Sequence, residues 1–175
     1  MKKSILLTGI SGSGKSEVSR QLKAMGYETY DVDTIYELCV MIDKKTGLPT
    51  PYDNGNDLEK IQKMYWLYKP EVLKSIIANQ KNEIAFYSGW PNNLEEIVPL
   101  FTKVIVLTAV EDTIRQRLNT RTDNGFGKSV EVQDYILRGR EKMENELRER
   151  GAVIINSEKS LDQVVKEVII VAVAQ

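Results

Sequence analysis

The sequence contains no histidine and a single cysteine, Cys39, among its 175 residues. One cysteine can form neither an intrachain disulfide nor a cysteine cluster that binds a metal. Without histidine, the general base of any acid–base chemistry must be another side chain, and a carboxylate is the usual alternative. We therefore expect a reduced protein in which Asp or Glu carries any proton transfer.

Long apolar runs are also missing. The two most apolar stretches, residues 4–8 and 168–174, are far shorter than the roughly 20 residues that span a bilayer, and the first is too short for a secretory signal. Lys and Arg number 24 against 25 Asp and Glu, so no net charge attracts the chain to a membrane or to nucleic acid. We expect a cytoplasmic monomer or homodimer that acts on small molecules, without excluding a local nucleic-acid site.

Short apolar runs alternate with longer amphipathic stretches along the whole chain. The runs predict five β-strands, at residues 4–8, 28–30, 83–87, 104–107 and 153–155. This alternation predicts an α/β fold, a single domain with a five-stranded parallel sheet and helices on both faces. The helical patterns between the runs include residues 33–41, 57–79 with a kink at Pro70, and 130–150. Residues 43–57 predict a long surface loop that covers the substrate.

The segment GISGSGKS, Gly9 to Ser16, matches the pattern G-x-x-x-x-G-K-[ST] between a predicted strand and a predicted helix. Its glycines let backbone N–H groups converge on phosphate oxygens, and the helix N-terminus adds partial positive charge. Lys15 is expected to reach the β- and γ-phosphates of ATP, and Ser16 to offer its hydroxyl to Mg²⁺. The residues predicted to bind the nucleotide are Gly9, Ser11, Gly12, Ser13, Gly14, Lys15, Ser16, Glu17, Arg117 and Arg121.

Further motifs distinguish the classes of protein that carry such a phosphate loop. The chain has no D-x-x-G switch and no N-K-x-D motif, which argues against a GTPase, and no predicted strand ends in the Asp-Glu pair of motor ATPases. Small kinases instead place a carboxylate after the second strand, where Asp31 and Asp33 lie here. Both are predicted to hold Mg²⁺ or the acceptor, and Asp33 to act as the base. The alternative is that either residue caps the next helix.

Seven of the eight arginines lie between Arg115 and Arg150. Within this segment, the glycine-rich stretch at about 121–130 predicts a mobile lid that closes over the triphosphate and excludes water. Arg121 and Lys128 are predicted to act in catalysis, and Arg138 and Arg140 to contact the substrate. The alternative is a solvated helix with mixed charges.

The turn after the third predicted strand, SGWPNNLEE, has two interpretations. Gly89 would let an acceptor approach the backbone, and Trp90 would offer a flat surface to a ring. Alternatively, the residues from Pro91 onward start a helix with Glu95 and Glu96 in its first turn. The helix predicted at residues 57–79 carries three aromatic residues that could either line a pocket for an aromatic acceptor or belong to the core, namely Tyr65, Trp66 and Tyr68.

Five segments together resemble the shikimate kinase and nucleoside-monophosphate kinase group of P-loop kinases, with some similarity to bacterial proteins described as AAA-family ATPases. They are the phosphate loop, DVD at 31–33, YSGW at 87–90, RTDNGFGK at 121–128 and INSEKSLDQVV at 155–165. The resemblance implies a three-layer α/β/α P-loop NTPase fold with a short lid and an acceptor region at about 33–80. It also implies ATP and Mg²⁺ as cofactors.

The resemblance also implies roles for individual residues. Asp31 and Asp33 would bind acceptor hydroxyls or the metal, and Gly89 would touch the acceptor. Arg121 would stack on adenine, and Lys128 would meet phosphate. The chain departs from shikimate kinases in having Trp90-Pro91 in place of two glycines and Tyr68-Lys69 in place of a Phe-Arg pair.

We therefore expect an ATP-dependent phosphotransferase that moves the γ-phosphoryl group of Mg-ATP to a small hydroxyl- or phosphate-bearing metabolite, of the nucleoside, nucleotide or shikimate-like class. One alternative is a kinase that acts on a polynucleotide or tRNA, which would need a basic groove. The other is a regulatory protein that binds ATP with little turnover.

Overall fold

The computed structural model describes residues 2–51, 56–122 and 125–174. Helices and strands alternate along most of this length. In chain order they are β1 (Lys3–Thr8), α1 (Lys15–Ala24), β2 (Glu28–Asp31), β3 (Cys39–Asp43), α2 (Leu58–Gln62), β4 (Met64–Tyr68), α3 (Pro70–Ala78), β5 (Ile84–Ser88), α4 (Leu94–Ile97), β6 (Lys103–Thr108), α5 (Glu111–Thr120), α6 (Val130–Arg138), α7 (Arg140–Glu149), β7 (Val153–Asn156) and α8 (Leu161–Val173).

Five of the strands form one parallel sheet in the order β2-β5-β1-β6-β7. Strand β1 is central, and its Leu6 lies opposite Tyr87 on one side and Val104 on the other. The predicted α/β fold with five parallel strands is thus confirmed. Parallel strands direct their carboxyl ends to the same edge of the sheet, and ligands of open α/β sheets bind at that edge.

Helices cover both faces of this sheet because successive side chains of each strand point to opposite sides. Ile5 and Leu7 face the buried residues of α1 and α8, among them Leu22 and Val168. Leu6 faces the other way, into a cluster formed with α5 and α7. The predicted layers of helix, sheet and helix are confirmed. Within the described residues, no helix is long and apolar enough to cross a lipid bilayer.

Both ends of α8 are capped, which fixes this helix against the sheet. Ser160 and Gln163 form the capping box at its start. At its end, the ammonium groups of Lys3 and Lys103 donate to backbone carbonyls of residues 171–174. These carbonyls have no partner within the helix, so lysines from the first residues of β1 and β6 satisfy them.

The predicted helix at residues 33–41 is wrong. Residues Val32–Thr34 form one turn of 3₁₀-helix, and the chain then enters strand β3. β3 pairs antiparallel with β4 in a separate two-stranded sheet, with Met41 opposite Trp66. Both segments are rich in residues that favour strands, and their pairing outweighed the weak helical periodicity.

The predicted helix at residues 57–79 is also wrong, because β4 interrupts it. The Asp57 carboxylate caps α2 and accepts a hydrogen bond from the amide of Lys60. Pro70 does not kink a long helix but begins α3, where its fixed φ and missing N–H are tolerated. The predicted helix at 130–150 divides at Gly139 into α6 and α7.

Two predicted functional segments are only partly covered by the described residues. The surface loop at 43–57 includes residues 52–55, which lie outside them, and the lid at 121–130 includes residues 123 and 124, which do too. The described part of the loop turns back after β3, so that Pro49 forms a β-bridge with Ile42. The mobility of the lid and the covering role of the loop remain predictions.

Candidate active site

A cleft of about 2090 Å³ opens at the carboxyl edge of the parallel sheet. The phosphate loop, the residues after β2 and β5, the β3–β4 sheet and parts of α5 and α6 line it. Sites for one small ligand usually measure about 300–1,000 Å³. The cleft therefore has room for a nucleotide and a second molecule beside it.

The phosphate loop has the backbone geometry of an anion site. Gly9, Gly12 and Gly14 all have φ in the left-handed region, between 85° and 141°. A Cβ at Gly9 would lie 2.4 Å from the carbonyl oxygen of Leu107, so no side chain fits there. Gly14 is the N-cap of α1 and supplies no capping side chain. The first amides of this ten-residue helix are thus available to phosphate oxygens.

Lys15 lies over this loop and is close to the predicted acidic residues. Its Nζ donates to the carbonyl oxygens of Gly9 at 2.7 Å and Ile10 at 3.2 Å. Burial lowers the pKa of Lys15 from 10.5 to about 8, with a smaller contribution from the positive charge of Arg121. The charges of Asp33 and Asp31 oppose this shift. The structure thus brings Lys15, Asp31, Asp33 and Arg121 together.

The carboxylate of Asp33 is held by two donors that the sequence had placed on a helix. Its Oδ1 accepts a hydrogen bond from Trp66 Nε1 at 3.0 Å and another from the hydroxyl of Tyr68. Both donors belong to β4, where alternate side chains share one face. Two bonds to one oxygen fix the orientation of the carboxyl group.

The turn after β5 sets the position of β4. The Asn92 side chain accepts from the amide of Trp66, and the amide of Asn92 donates to the carbonyl of Trp66, each at 2.6 Å. The Asn93 side chain both accepts from the amide of Tyr68 and donates to its carbonyl. These two asparagines therefore occupy the free backbone edge of β4 and hold it beside the cleft. The helix predicted in this segment is present as α4, with Glu95 and Glu96 in its first turn.

Gly89 and Trp90 occupy different surroundings in this turn. Trp90 lines the cleft, whereas Gly89 is buried and is not part of the lining. A Cβ on Gly89 would lie 2.0 Å from the Tyr68 hydroxyl oxygen and 2.6 Å from Val32 Cγ2. The structure thus gives a reason for glycine here other than the predicted approach of an acceptor, because any side chain would displace Tyr68 from Asp33.

Arg117 and Arg121 both contact the phosphate loop. The guanidinium of Arg117 donates to Ser157 Oγ at 2.9 Å, to Ser157 O at 2.7 Å and to Gly12 O at 3.3 Å. Burial lowers its pKa. Arg121 Nη1 donates to Ser11 Oγ at 3.0 Å. Both arginines line the cleft, as do Ser11, Gly12, Gly14, Ser16 and Glu17, whereas Gly9 and Ser13 are not among the lining residues.

The other predicted cations differ in their positions. Lys128 Nζ donates to the carbonyls of Asn119 at 2.9 Å and Arg121 at 2.6 Å, and it is not among the residues that line the cleft. Arg140 likewise lies outside the lining and donates to Ala109 O at 2.6 Å. Arg138 is exposed and does line the cleft. The proposed phosphate contact of Lys128 and substrate contact of Arg140 would thus require these bonds to rearrange.

Asn56, which the sequence did not single out, connects the predicted acceptor region to the predicted lid segment. Its side chain donates to Gly125 O at 2.8 Å and accepts from the amide of Lys128 at 2.6 Å. The backbone carbonyl of Asn56 also accepts a hydrogen bond from Ser129 Oγ at 3.3 Å. No sequence signal indicated this role, because the bonded residues are about 70 positions apart.

The donor groups in the cleft fit a magnesium ion that arrives with a nucleotide. In the described ranges, no group of three Asp, Glu, His or Cys residues is placed to hold a metal alone. Mg²⁺ usually takes one or two carboxylates and completes its shell with water and phosphate oxygens. Ser16, Asp31 and Asp33 line the same cleft and offer oxygen ligands of this kind. Glu17 is instead paired with Arg20 at 2.7 Å.

Replacing Gly89 tests whether glycine is needed there for packing. Gly89→Ala should lower the free energy of unfolding by about 1–3 kcal/mol, because the added Cβ overlaps Tyr68 and Val32. In the double variant Gly89→Ala/Tyr68→Phe, the overlapping hydroxyl is gone. Its free energy of unfolding, measured by urea denaturation, should be about 1 kcal/mol higher than the sum of the two single changes predicts. Gly139→Ala is the control, since nothing lies within 4 Å of its Cβ position. Full additivity of the two changes would contradict this packing interpretation.

Replacing Asn56 tests the connection between acceptor region and lid. Asn56→Ala should accelerate amide hydrogen exchange at Lys128 and Ser129 roughly 5- to 100-fold, because their bonds to Asn56 are lost. Exchange in α1 should not change. Asn79→Ala, which removes a bond to Ser75 within α3, is the matched control. Equal exchange rates at Lys128 in both variants would show that Asn56 does not restrain the lid.

Comparison with solved structures shows that kinases share this fold. The chain is similar to a deoxyadenosine kinase of M. mycoides with bound dATP, with a TM-score of 0.60 and 14% identity, covering 95% of this chain and 97% of that one. It is also similar to a shikimate kinase of Bacteroides thetaiotaomicron, with a TM-score of 0.57, 17% identity and 97% coverage of both chains. The resemblance to P-loop kinases inferred from the sequence is confirmed at the level of the fold.

Sequence comparison identifies a curated relative that is described only by ligand. It is a nucleotide-binding protein of Coprothermobacter proteolyticus, 27% identical over 165 residues, which are 90% of this chain and 50% of the relative. The chain thus spans about half the length of that relative. A family model described as an AAA domain matches residues 5–138, from β1 to the end of α6. Since this match covers most of the chain and includes the phosphate loop, the protein belongs to the AAA domain family.

Proposed function

We propose that the protein is an ATP-dependent phosphotransferase that moves the γ-phosphoryl group of Mg-ATP to a small hydroxyl- or phosphate-bearing metabolite. The observation that carries this proposal is the oriented carboxylate of Asp33 in the same cleft as the phosphate loop. A carboxylate in this position could orient or deprotonate the attacking group of a transferase, in addition to any contact with Mg²⁺.

Each predicted site residue has a role in this proposal. Lys15 and Arg121 would supply positive charge to the transferring phosphoryl group. Ser16 with Asp31 and Asp33 would hold Mg²⁺, which bridges the phosphates and neutralises their charge when it is bound. Residues 33–80 would form the acceptor region, and residues 121–130 the lid that excludes water.

Turnover by variants tests the proposal. ADP release from Mg-ATP should be stimulated by at least one pool among nucleosides, nucleotides, sugars, hydroxy acids and short RNAs. Lys15→Ala and Asp33→Asn should each lower the stimulated rate by about 10²–10⁴-fold. The first substitution removes the positive charge that would contact the phosphates, and the second removes the base. Matched controls are Lys23→Ala and Asp162→Asn, two exposed residues that do not line the cleft.

The outcomes separate the rival functions. Stimulation confined to RNA, with an affinity that falls steeply with salt, would favour a polynucleotide kinase. A flat rate in every pool, together with clear ATP binding that Lys15→Ala abolishes, would overturn the phosphotransferase proposal. It would favour a regulatory nucleotide-binding protein.

The lowered pKa of Lys15 predicts a pH dependence of ATP binding. In the free protein Lys15 loses its proton near pH 8, and bound phosphate favours the protonated form, so binding takes up a proton above that pH. The affinity for ATP should therefore fall as pH rises above about 8, by up to about tenfold per pH unit. Calorimetry in buffers of different ionisation enthalpy measures both effects. Lys15→Arg, which stays charged, should show neither, and a wild-type affinity independent of pH would contradict the prediction.

A further inference from the structure

The walls of the cleft differ in character between the phosphate loop and the acceptor region. Around the loop they are polar and basic, with Lys15, Arg117 and Arg121. In the acceptor region, β3, β4 and the turn after β5 contribute mainly apolar and aromatic side chains, namely Val40, Met41, Met64, Trp66 and Trp90. Flat rings and hydrocarbon surfaces bind well to Trp and Met side chains, because such contacts remove apolar area from water.

The acceptor region offers few cationic groups to an anionic ligand. The carboxylates that line the cleft here belong to Asp31, Asp33 and Glu37, of which the first two are the proposed Mg²⁺ ligands, and the cations belong to Lys69 and Arg138. The other arginines of the described lining are engaged elsewhere. Arg117 and Arg121 contact the phosphate loop, and Arg20 pairs with Glu17 at 2.7 Å.

Recognition of a phosphate or carboxylate normally uses arginine, whose planar fork binds two oxygens at once. An anion placed against the apolar side chains of β3 and β4 would lose water without gaining such a partner. An uncharged molecule does not meet this cost. The Asp33 carboxylate, oriented by Trp66 and Tyr68, lines the same cleft and can accept a hydrogen bond from a hydroxyl group.

We propose, on the premise that the protein is the phosphotransferase described above, that its acceptor is an uncharged alcohol of nucleoside size with an aromatic or apolar body. The body lies against Met41, Met64 and Trp66, and the hydroxyl points to Asp33. The hydroxyl oxygen forms a bond to the γ-phosphorus, and the bond from that phosphorus to the β–γ bridging oxygen breaks. The hydroxyl proton passes to Asp33 and ADP leaves. Nucleotides and carboxylic acids are excluded because the apolar walls give their charged groups no partner.

Matched pairs of probes test this inference by binding alone. The protein, saturated with Mg²⁺ and a non-hydrolysable ATP analogue, is titrated calorimetrically with adenosine and AMP, thymidine and TMP, methyl shikimate and shikimate, and 2-naphthylmethanol and 2-naphthoate. Within each pair only one member carries a negative charge. At least one uncharged member should bind about tenfold or more tightly than its anionic partner, because the charged group would lose water against apolar side chains without gaining a partner.

Two lysine substitutions on the same strand localise the effect. Met64→Lys places a cation on the face of β4 that lines the cleft, and it should lower the preference for the uncharged member about tenfold. Tyr65→Lys places the same charge on the opposite, exposed face of β4 and should leave the preference unchanged. Thermal unfolding of both variants verifies that they are folded.

The inference is overturned if no uncharged member binds more tightly than its anionic partner, which includes the case in which none binds. It is also overturned if the two lysine variants change the preference equally. The proposed function is judged separately by turnover. Binding of an uncharged alcohol without phosphoryl transfer would support the inferred class of ligand and contradict the phosphotransferase activity. Turnover of a nucleotide or a carboxylic acid would support the activity and contradict the inferred class of ligand.

Discussion

The hydrogen bonds that Tyr68 and Trp66 donate to the carboxylate of Asp33 connect the two sheets of this protein. Asp33 follows a strand of the parallel sheet, and its two donors lie on β4 of the small antiparallel sheet. The contact requires a glycine at position 89, since a side chain there would occupy the space of the tyrosine hydroxyl. It also requires Asn92 and Asn93, which bind the backbone edge of β4. Three separate segments thus cooperate to orient one carboxyl group, namely the turn after β2, strand β4 and the turn after β5.

The position of Lys15 favours an anion at the phosphate loop. Burial lowers its pKa to about 8, and its ammonium group bonds only to backbone carbonyls of its own loop among the described residues. A charge that is partly desolvated without a full counter-charge is costly. The phosphates of a nucleotide would remove that cost.

The predicted nucleotide and acceptor portions of the cleft are built in different ways. The phosphate loop is a contiguous run of eight residues between a strand and a helix, and a match to known motifs follows directly from it. The predicted acceptor region is assembled from β3, β4 and the turn after β5, and Asn56 links it to the predicted lid. Similarity of fold to kinases extends over 95–97% of the chain at less than 20% identity. Such similarity shows the fold and does not identify an acceptor.

The sequence by itself determined the five parallel strands, the phosphate loop and the position of Asp31 and Asp33 at the carboxyl end of β2. Each of these depends on residues close together in the chain, where periodicity and glycine act locally. Only the tertiary structure decided that residues 39–43 and 64–68 are strands, because each is stabilised by the other across about 25 positions. The same holds for the Tyr68 bond to Asp33, the packing of Gly89 on Tyr68 and the bonds of Asn56 to the lid. Contacts between residues distant in sequence stabilise these elements but produce no periodic pattern in either segment. They can therefore be identified only in the folded structure.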